Sequence, residues 1–370
     1  MSPSTLRRAA IAAALALAAG GLAACGDDDD GGGSSTSSSS GEAKQIALLL
    51  PESKTTRYEA KDRPAFEAKV KEICENCEII YSNADQDAAK QQQQAEAAVT
   101  KGADVMVLDP VDSASASGIV NRAKQSDIPV ISYDRLVTDA EIDYYISFDN
   151  EEVGKLQGTS LLEALDGGDG KSIVMINGSP TDNNAKLFKA GAHSVLDPSG
   201  VKIEKEYDTP DWSPDKAQQE MDQAITSVGK DKIDGVYAAN DGTAGGAIAA
   251  MKGAGMDVTK IPTTGQDAEL AAIQRILAGE QYMTVYKAIT PEAEAAAELA
   301  VAIAQGEEPP SGLVNGEVDN GSGMIPSVLL KPVAVTKENV KDTVVKDEFV
   351  EVSELCAGEY AADCKAAGIE

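Results

Sequence analysis

The sequence predicts an α/β protein made of two doubly wound, parallel-sheet units in tandem. Short apolar runs that suit buried strands alternate with helical patterns from residue 46 onward, and such alternation is typical of parallel sheets with crossover helices. Alanine and glycine are abundant while aromatic residues make up only 4%, which favours closely packed helices and sheets. The chain of 370 residues is also too long for one typical domain.

The N-terminus has the features of an export signal. Arg7 and Arg8 precede an apolar run, Ala9–Ala19, that is too short to span a bilayer. The following LAAC at 22–25 resembles a bacterial lipobox, in which cleavage leaves the cysteine lipid-modified; an ordinary cysteine after a small-residue cleavage site is the alternative. We expect residues 1–24 to be a signal peptide, Cys25 to be lipidated, and residues 25–44, rich in Gly, Ser and Asp, to be a disordered tether.

The first predicted unit covers residues from Ile46 to Ser147. Its polar segment Pro51–Arg63 is expected to be a loop, and helices are expected up to Glu72 and over Asp87–Thr100 and Ser113–Gln125. Its predicted strands are Ile46–Leu50, Glu78–Tyr81, Val105–Leu108, Ile128–Ile131 and Tyr144–Ser147.

The second unit repeats this architecture. Its predicted helices are Glu151–Leu165, Asn183–Leu196, Ser213–Val228, Thr243–Gly253, Ala268–Ala278 and Thr290–Gln305. Its predicted strands are Ser172–Ile176, Val201–Tyr207, Gly235–Ala239, Ile261–Thr264 and Met283–Tyr286. A broken apolar run, Ile325–Val335, leads to a final helix at about Lys337–Val345 and an acidic tail.

Charge and cysteine content exclude several functions. A formal net charge of −29 repels phosphate backbones, so nucleic-acid binding is not expected. With Cys25 assigned to lipid, two local disulfides, Cys74 with Cys77 and Cys356 with Cys364, are the simplest pairing in an oxidising compartment. A redox role for CENC is the alternative, but it follows a helical pattern instead of opening one. A single histidine, His193, makes a zinc site improbable.

Polar side chains recur where predicted strands end. Asp134-Arg135, the segment 177–184, Asn240-Asp241, Gln266-Asp267 and Lys287 all follow such strands. Ligands of open α/β sheets bind beyond the carboxyl ends of the strands. Each group alone could be a turn residue or a helix cap. Their recurrence in both units favours one shared cleft.

The residue types in this set suit a neutral polyhydroxylated ligand, because every hydroxyl group both donates and accepts hydrogen bonds. The acceptors are Asp134, Asp182 and Asp267, the donors are Arg57, Arg135 and Lys287, and Asn184 and Asn240 do both. Trp212 either stacks on the ligand or anchors a loop to the core. Tyr58 either offers a second stacking ring or is a plain surface tyrosine.

Enzyme signatures are incomplete. The chain has no Gly-x-Ser-x-Gly elbow, and the stretch around Gly170-Lys171-Ser172 has Leu165 where a phosphate loop needs glycine. The EF-hand-like start at Asn83 lacks the required glycine and closing acid. Carboxylates with cationic neighbours stay ionised and make poor general acids. No catalytic residue, metal or cofactor is therefore predicted.

Five long stretches carry a family resemblance. They are YDRLVTDAEIDYYISFDNEEVG (133–154), GSPTDNNAKLFKAG (178–191), NDGTAGGAIAAMKGAG (240–255), TGQDAELAAIQRILAGEQYMTVYKAIT (264–290) and KENVKDTVVKDEF (337–349). In these the chain resembles the bacterial D-xylose-binding proteins of ABC transporters, which belong to the type I periplasmic binding protein superfamily. The resemblance runs from about Ile46 to Leu355.

The resemblance implies two Rossmann-like lobes that close around one sugar and are joined by three crossovers. The first would lie at Phe148, Asp149 and Asn150, the second just after Lys287, and the third near Pro326–Pro332. The lobes would comprise residues 45–149 plus 288–328 and 150–287 plus 329–350, with a cysteine-containing tail at 351–370. The implied sugar contacts are Arg57, Asp134, Arg135, Asp182, Asn184, Trp212, Asn240, Asp267 and Lys287.

The expected function is capture of D-xylose, or a close aldopentose, by a monomeric lipoprotein on the outer face of the cytoplasmic membrane. Its partners would be the sugar, the membrane through the lipid on Cys25, and the permease of an ABC transporter. A lipoprotein that signals the presence of sugar to a membrane receptor is an alternative. A secreted glycosidase is a weaker one.

Overall fold

A computed structural model describes residues 43–369 of the chain. The expected signal peptide, the lipidated Cys25 and most of the tether fall outside these residues. Between residues 43 and 369, no helix combines the length and apolar character needed to cross a bilayer.

The strands confirm the predicted alternation with helices. Within the described residues they are β1 Lys44–Leu50, β2 Cys77–Asn83, β3 Val105–Leu108, β4 Val130–Tyr133, β5 Tyr144–Phe148, β6 Ser172–Asn177, β7 Lys202–Asp208, β8 Gly235–Ala238, β9 Met283–Tyr286, β10 Gly316–Asp319, β11 Met324–Leu330 and β12 Val333–Thr336.

The α-helices cover these strands. They are α1 Arg63–Ile73, α2 Ala88–Thr100, α3 Ser117–Lys124, α4 Asn150–Ala164, α5 Asn183–Leu196, α6 Pro214–Val228, α7 Asp241–Gly253, α8 Leu270–Ala278, α9 Ile289–Gln305, α10 Val352–Leu355 and α11 Ala361–Ala366. Short π-helices occupy Tyr58–Asp62 and Lys341–Val345.

The strands form two main sheets. The first has the order β10-β11-β5-β4-β3-β1-β2, and all neighbours are parallel except β10 and β11. The second has the order β7-β6-β8, all parallel, and β9 pairs with β12 in an antiparallel ribbon beside it. The predicted strand Ile261–Thr264 shortens to one bridge between Thr263 and Val236. The α/β fold with parallel-sheet cores is thus confirmed.

The chain passes between the sheets at three places. β5 ends at Phe148 in the first sheet, and α4 then starts with Asp149 as its N-cap, accepting from the Glu152 N–H at 3.0 Å. Lys287 separates β9 from α9, which packs on β1 and β3 of the first sheet. Finally, β11 belongs to the first sheet whereas β12 pairs with β9. These passages bring both sheets to a common edge.

Helices α4 and α5 approach each other at glycine positions. A Cβ atom on Gly154 would lie 1.9 Å from the carbonyl oxygen of Phe188, and one on Gly191 would lie 2.0 Å from that of Glu151. Only glycine permits this contact between the two backbones. The close packing fixes the position of the α5 N-terminus, where Asp182 and Asn184 lie.

Two segments differ from expectation. Pro51–Arg63 is not a solvated loop: it contains a π-helix, and Thr55, Arg57 and Tyr58 within it are buried. Glu52 and Arg57 are buried because they pair with charges distant in sequence, which periodicity cannot show. The final predicted helix is confined to a π-helix at Lys341–Val345.

The C-terminal segment, expected as an acidic tail, is folded against the rest of the chain. α10 and α11 pack on α8, and Leu355, Cys364 and Ile369 are buried in a cluster with residues of that helix. Cys356 and Cys364 lie within disulfide distance of each other, with Cα atoms 5.7 Å apart, and so do Cys74 and Cys77, at 5.4 Å. The geometry is compatible with the two predicted pairings.

Candidate functional site

A small polar cavity lies where the carboxyl ends of strands from both sheets meet. It has about 260 Å³ of space not filled by protein atoms, part of which is open to solvent. The lining residues are Thr55, Arg57, Tyr58, Asp134, Arg135, Asp182, Asn184, Phe188, Trp212, Asn240, Gln266, Asp267 and Lys287. The structure therefore brings together all nine predicted contact residues and Tyr58.

The lining residues form two walls, which we number according to the sheet that they follow. The first wall, Thr55, Arg57, Tyr58, Asp134 and Arg135, follows β1 and β4 of the first sheet. The second wall follows β6, β7, β8, the bridge at Thr263, and β9; it consists of Asp182, Asn184, Phe188, Trp212, Asn240, Gln266, Asp267 and Lys287. Both walls thus follow the rule that ligands bind at strand carboxyl ends.

Arg57 is the centre of a buried ion-pair network. Its Nε and Nη2 donate to Asp62 at 3.0 and 2.6 Å, and Nη2 also donates to Glu292 Oε2 at 2.7 Å. Its Nη1 reaches Asp134 Oδ1 at 3.3 Å. Burial opposes the charged guanidinium, but Asp134, Asp62 and Glu292 outweigh it and raise the pKa of Arg57. Four donor contacts hold this cation at the cavity surface.

Glu292 lies on α9 behind that network and is fully buried. Burial raises its pKa to about 8, although Arg57 acts in the opposite direction. The carboxylates of Asp134 and Asp62 act in the same direction as burial, because a third negative charge close to them is unfavourable. Glu292 therefore keeps its proton to a higher pH than an ordinary glutamate does.

Asp134 is held at both its side chain and its backbone. Oδ1 receives Arg57 Nη1 and Lys287 Nζ, each at 3.3 Å, while Oδ2 accepts from the Tyr58 hydroxyl at 2.8 Å. Its carbonyl oxygen accepts from Ser147, Asn184 and Tyr145 at 2.7, 2.9 and 3.1 Å. Burial would raise the pKa of Asp134, but Arg57, Lys287 and Arg135 outweigh it and hold the pKa below its ordinary value.

Arg135 links the two walls. Its Nη2 reaches Glu52 Oε1 at 3.2 Å on one side, and its Nε lies 3.0 Å from Asp182 Oδ2 on the other. A third carboxylate, Asp109, is 3.6 Å away, and neither of its oxygens has a hydrogen-bond partner among residues 43–369. Burial raises the pKa of Asp109 against the influence of Arg135. Asp109 thus supports Arg135 from behind the wall.

Two members of the second wall are also helix caps. Asp182 Oδ1 accepts from the Asn184 N–H at 2.8 Å at the start of α5, and its Oδ2 accepts from the Trp212 indole N–H at 3.0 Å. Asn240 closes a reciprocal capping box with Thr243 at the start of α7. These residues can cap a helix and line the cavity at the same time, because the N-termini of both helices point at the cavity.

Trp212 is seated by a strained turn and a glycine. Asp211 and Trp212 have φ angles of 59° and 50°, which non-glycine residues seldom adopt. A Cβ atom on Gly178 would lie 1.9 Å from the indole ring. The ring of Phe188 contacts Trp212 edge-on, with centroids 6.3 Å apart and planes at 63°. The indole therefore packs in the core of the second unit and lines the cavity at the same time.

Lys287 and Asp267 complete the second wall. Lys287 Nζ is 3.5 Å from Asp267 Oδ1 and 5.3 Å from the ring centroid of Phe148. Asp267 has a φ of 94°, and Asp134 has a φ of 53°, so two aspartates of this site have a positive φ angle. Burial raises the pKa of Asp267, with Lys287 and Arg57 acting against this. Both side chains are almost inaccessible to solvent.

The remaining predicted residues lie beside the cavity. Asn150 donates to Asn184 Oδ1 at 2.9 Å and so orients that side chain, whereas Asp149 only caps α4. The four described cysteines do not line the cavity. Over residues 43–369 no cluster of three or more His, Cys, Asp or Glu has a metal-holding arrangement.

Part of the site was not predicted from the sequence. Thr55, Phe188 and Gln266 line the cavity, and Asp62 and Glu292 hold Arg57 from behind. Phe188 lies one helical turn after Asn184 on α5, a spacing that could have revealed it. Glu292 looks like any surface acid in an Ala/Glu-rich helix, so the sequence contains no signal for its burial.

Comparison with known proteins assigns the family. The model of a periplasmic binding protein domain matches residues 46–308. The chain belongs to this family. It is 42% identical to a D-xylose-binding periplasmic protein of Escherichia coli over 315 residues, 84% of this chain and 92% of the relative. A D-xylose-binding periplasmic protein of Haemophilus influenzae is 40% identical over 82% of this chain and 90% of the relative.

Solved structures agree with the assignment. An ABC transporter solute-binding protein from Clostridium phytofermentans, solved with bound β-D-glucose, has a TM-score of 0.78 at 30% identity. The match covers 84% of this chain and all of that one, 100%. These relatives are solute-binding proteins and not enzymes, which agrees with the incomplete enzyme motifs. The periplasmic binding protein family thus accounts for both the fold and the position of the cavity.

Proposed function

We propose that this protein captures D-xylose, or a closely related aldopentose, and delivers it to the permease of an ABC transporter without catalysing a reaction. The observation that carries the proposal is the convergence of ionised donors, carboxylate acceptors and one indole ring on a cavity of about 260 Å³. Two relatives at 42% and 40% identity are named as D-xylose-binding proteins, which supports the choice of sugar.

The cavity chemistry favours a neutral sugar over an ion. Three cations, Arg57, Arg135 and Lys287, are each already in contact with carboxylates of the chain. An anionic ligand would compete with those carboxylates, whereas sugar hydroxyls add hydrogen bonds without changing the charge balance. The cavity is small, which favours a monosaccharide over an oligosaccharide.

We further propose that two lobes close on the sugar, with Phe148, Asp149 and Asn150 in one of the three connections. Contacts away from the cavity support a closed arrangement. The Ser113 N–H donates to the Thr181 carbonyl at 3.0 Å, and Lys61 Nζ donates to the Phe349 carbonyl at 2.7 Å. Each joins a segment of the first sheet's unit to one of the second's. Closed, loaded proteins are the form that a permease would distinguish from open ones.

The direct test is a sugar titration. The lone Trp212 lines the cavity, so its fluorescence should respond to pentoses, and calorimetry should show saturable heat with D-xylose. A panel of D-xylose, its epimers, D-ribose, L-arabinose and D-glucose separates the candidate ligands. Absence of heat and of a fluorescence change with every sugar at millimolar concentration would defeat the proposal.

Export and lipid anchoring are proposed from the sequence of residues 1–44, with Cys25 as the modified residue. Mass spectrometry of protein expressed with its leader should find a lipid on Cys25, and Cys25→Ala should release the protein from membranes. Light scattering of the released protein should give the mass of a monomer. An unmodified Cys25 in membrane-free protein would contradict the anchoring.

Sugar sensing is a second candidate. A relative from Rhizobium radiobacter, 35% identical over 73% of this chain, is named a multiple sugar-binding periplasmic receptor. Transport predicts that the loaded protein stimulates ATP hydrolysis by its reconstituted transporter. Unchanged hydrolysis together with a sugar-dependent response of a membrane receptor would favour sensing.

A further inference from the structure

Tyr58 was expected either to stack on a ligand or to lie on the surface, and the structure gives it different contacts. It opens the π-helix Tyr58–Asp62 and is only 2% exposed. Its ring centroid lies 5.2 Å from the guanidinium carbon of Arg57 and 5.5 Å from that of Arg135. Two cations thus occupy cation–π positions on a ring that a sugar would otherwise use for stacking.

The hydroxyl group of Tyr58 makes the shortest hydrogen bond to the Asp134 carboxylate. It donates to Oδ2 at 2.8 Å, whereas the two cations reach Oδ1 at 3.3 Å each. The two carboxylate oxygens therefore have different partners: Oδ2 accepts from a neutral hydroxyl group, and Oδ1 accepts from two cations. The terminal torsion of an aspartate is broad, so a carboxylate without this donor could rotate.

We propose that Tyr58 is a positioning residue that holds the Asp134 carboxylate in one orientation and thereby sets the stereochemical selectivity of the sugar site. This inference rests on the proposed sugar-binding function. A carboxylate held in one plane accepts a hydroxyl from one direction, and an epimer with that hydroxyl displaced leaves a buried acceptor unpaired. The hydroxyl of Tyr58 acts through Asp134 and need not touch the sugar.

The π-helix explains how one short segment supports two of the three side-chain partners of the Asp134 carboxylate, Tyr58 and Arg57. Tyr58 and Asp62, its first and last residues, are both buried. Tyr58 donates to Asp134, while Asp62 binds Nε and Nη2 of Arg57, leaving Nη1 directed at Asp134. The Tyr133 hydroxyl in turn donates to Asp62 at 2.6 Å. The orientation of Asp134 is thus fixed from two sides by the same turn.

Tyr58→Phe separates positioning from stacking, because phenylalanine keeps the ring and removes only the hydroxyl. Positioning predicts about a tenfold weaker affinity for the preferred pentose, the usual effect of losing one hydrogen bond to a charged group. It also predicts a smaller ratio between the affinities for that pentose and its epimers. Stacking predicts wild-type affinities and ratios, a result that would overturn the proposal.

Calorimetry with monodeoxy analogues of the preferred pentose identifies the hydroxyl concerned. In Asp134→Asn, the penalty for deleting the hydroxyl that contacts Asp134 should shrink. Tyr58→Phe should reduce the penalty for that same hydroxyl and leave the others unchanged. An equal loss of affinity for every analogue would mean a general structural effect and would also overturn positioning.

Tyr237→Phe is a matched control, because Tyr237 is fully buried, donates one hydrogen bond at 2.9 Å to Gln157 and does not line the cavity. It should leave affinities and ratios unchanged. Tyr58→Trp keeps a ring and an N–H donor, and it is titrated in parallel in case Tyr58→Phe is too unstable. It should retain more selectivity between epimers than a Tyr58→Leu variant. Equal affinity ratios in these two variants would contradict the proposal. Failure of the wild-type protein to bind any sugar would instead refute the proposed function itself.

Discussion

The two walls of the cavity are held by different forces. In the first wall, Arg57 and Arg135 are fixed by side-chain ion pairs to the buried carboxylates of Asp62 and Glu52, and Asp134 is paired with Arg57. In the second wall, positions are set mainly by the backbone: Asp182 and Asn240 cap helices, while Trp212 and Asp267 sit at left-handed φ angles. The first wall therefore depends on charge balance and the second on turn geometry and packing.

This difference predicts how each wall fails. Removing a charge from the first wall leaves buried partners uncompensated, which affects folding as well as binding. Small steric changes in the second wall should leave folding largely intact and alter the cavity. Four predictions test this contrast, in order of expected effect.

The largest effect is expected for Arg57→Met. Loss of the guanidinium leaves Asp62 and Asp134 without their shared cation and Glu292 without a hydrogen-bond donor, and breaking a buried pair typically costs about 3–5 kcal/mol. Urea unfolding should show this loss, together with loss of sugar binding. Arg63→Met is the control, because Arg63 lies one turn away with a side chain 38% exposed, and should change stability by less than about 1 kcal/mol. Equal effects would contradict the network.

The second prediction concerns pH. Burial raises the pKa of Glu292 to about 8 in the folded protein, against about 4.3 in an unfolded chain. Between these values the folded state keeps a proton that the unfolded state releases, so this group's stabilising contribution is complete below pH 4.3 and falls as pH rises toward 8. The fall approaches about 1.4 kcal/mol per pH unit, or about 3 kcal/mol from pH 5 to 7.

Glu292→Gln removes this titration, so the difference in unfolding free energy between wild type and variant should change with that slope between pH 5 and 7. Glu294→Gln on the same helix reports the general effect of losing one carboxylate. A constant difference between wild type and Glu292→Gln across this range would show that Glu292 is ionised in the folded protein. The first wall would then carry one more negative charge than we infer.

Asp267→Ala tests the junction of the two walls. Asp267 lies on a second-wall turn, but its carboxylate is close to Lys287 and, at 3.9 Å, to Arg57. Deleting it should weaken binding of the preferred sugar by about 2 kcal/mol, roughly thirtyfold, because buried donors lose an acceptor. Calorimetry measures the change, and Asp257→Ala, a change to an exposed aspartate outside the cavity, serves as the control. Affinity close to wild type would remove Asp267 from the binding set.

Gly178→Ala should have the smallest effect on folding and a selective one on the second wall. The new methyl group would clash with the Trp212 ring, so the indole must shift, at a cost of about 1–2 kcal/mol. The emission spectrum of Trp212 should change and sugar affinity should fall. Gly253→Ala, where a Cβ meets no atom within 4 Å, should change neither property. An unaltered spectrum would mean that Gly178 does not seat the indole.

Much of the candidate site was predictable, because strand ends are local features. Asp134, Asn240 and Lys287 each follow an apolar run directly, and a parallel sheet brings such positions to one edge. The π-helix at Tyr58–Asp62 was not predictable in the same way, since its polar residues show no helical apolar period. Phe188 is an intermediate case: its helix was predicted, but the position of its side chain at the cavity was not.

The sequence alone determined the alternation of strands and helices, the two parallel-sheet units and the polar groups at their ends, because each is encoded over a few neighbouring residues. Only the tertiary structure decided the burial of Glu292, the pairing of Arg57 with Asp134 and the contact of Tyr58 with Asp134. Burial and ion pairing depend on neighbours from distant segments, such as Arg57 and Glu292, which are 235 positions apart. No local pattern records such neighbours, so their chemistry appears only when the chain is folded.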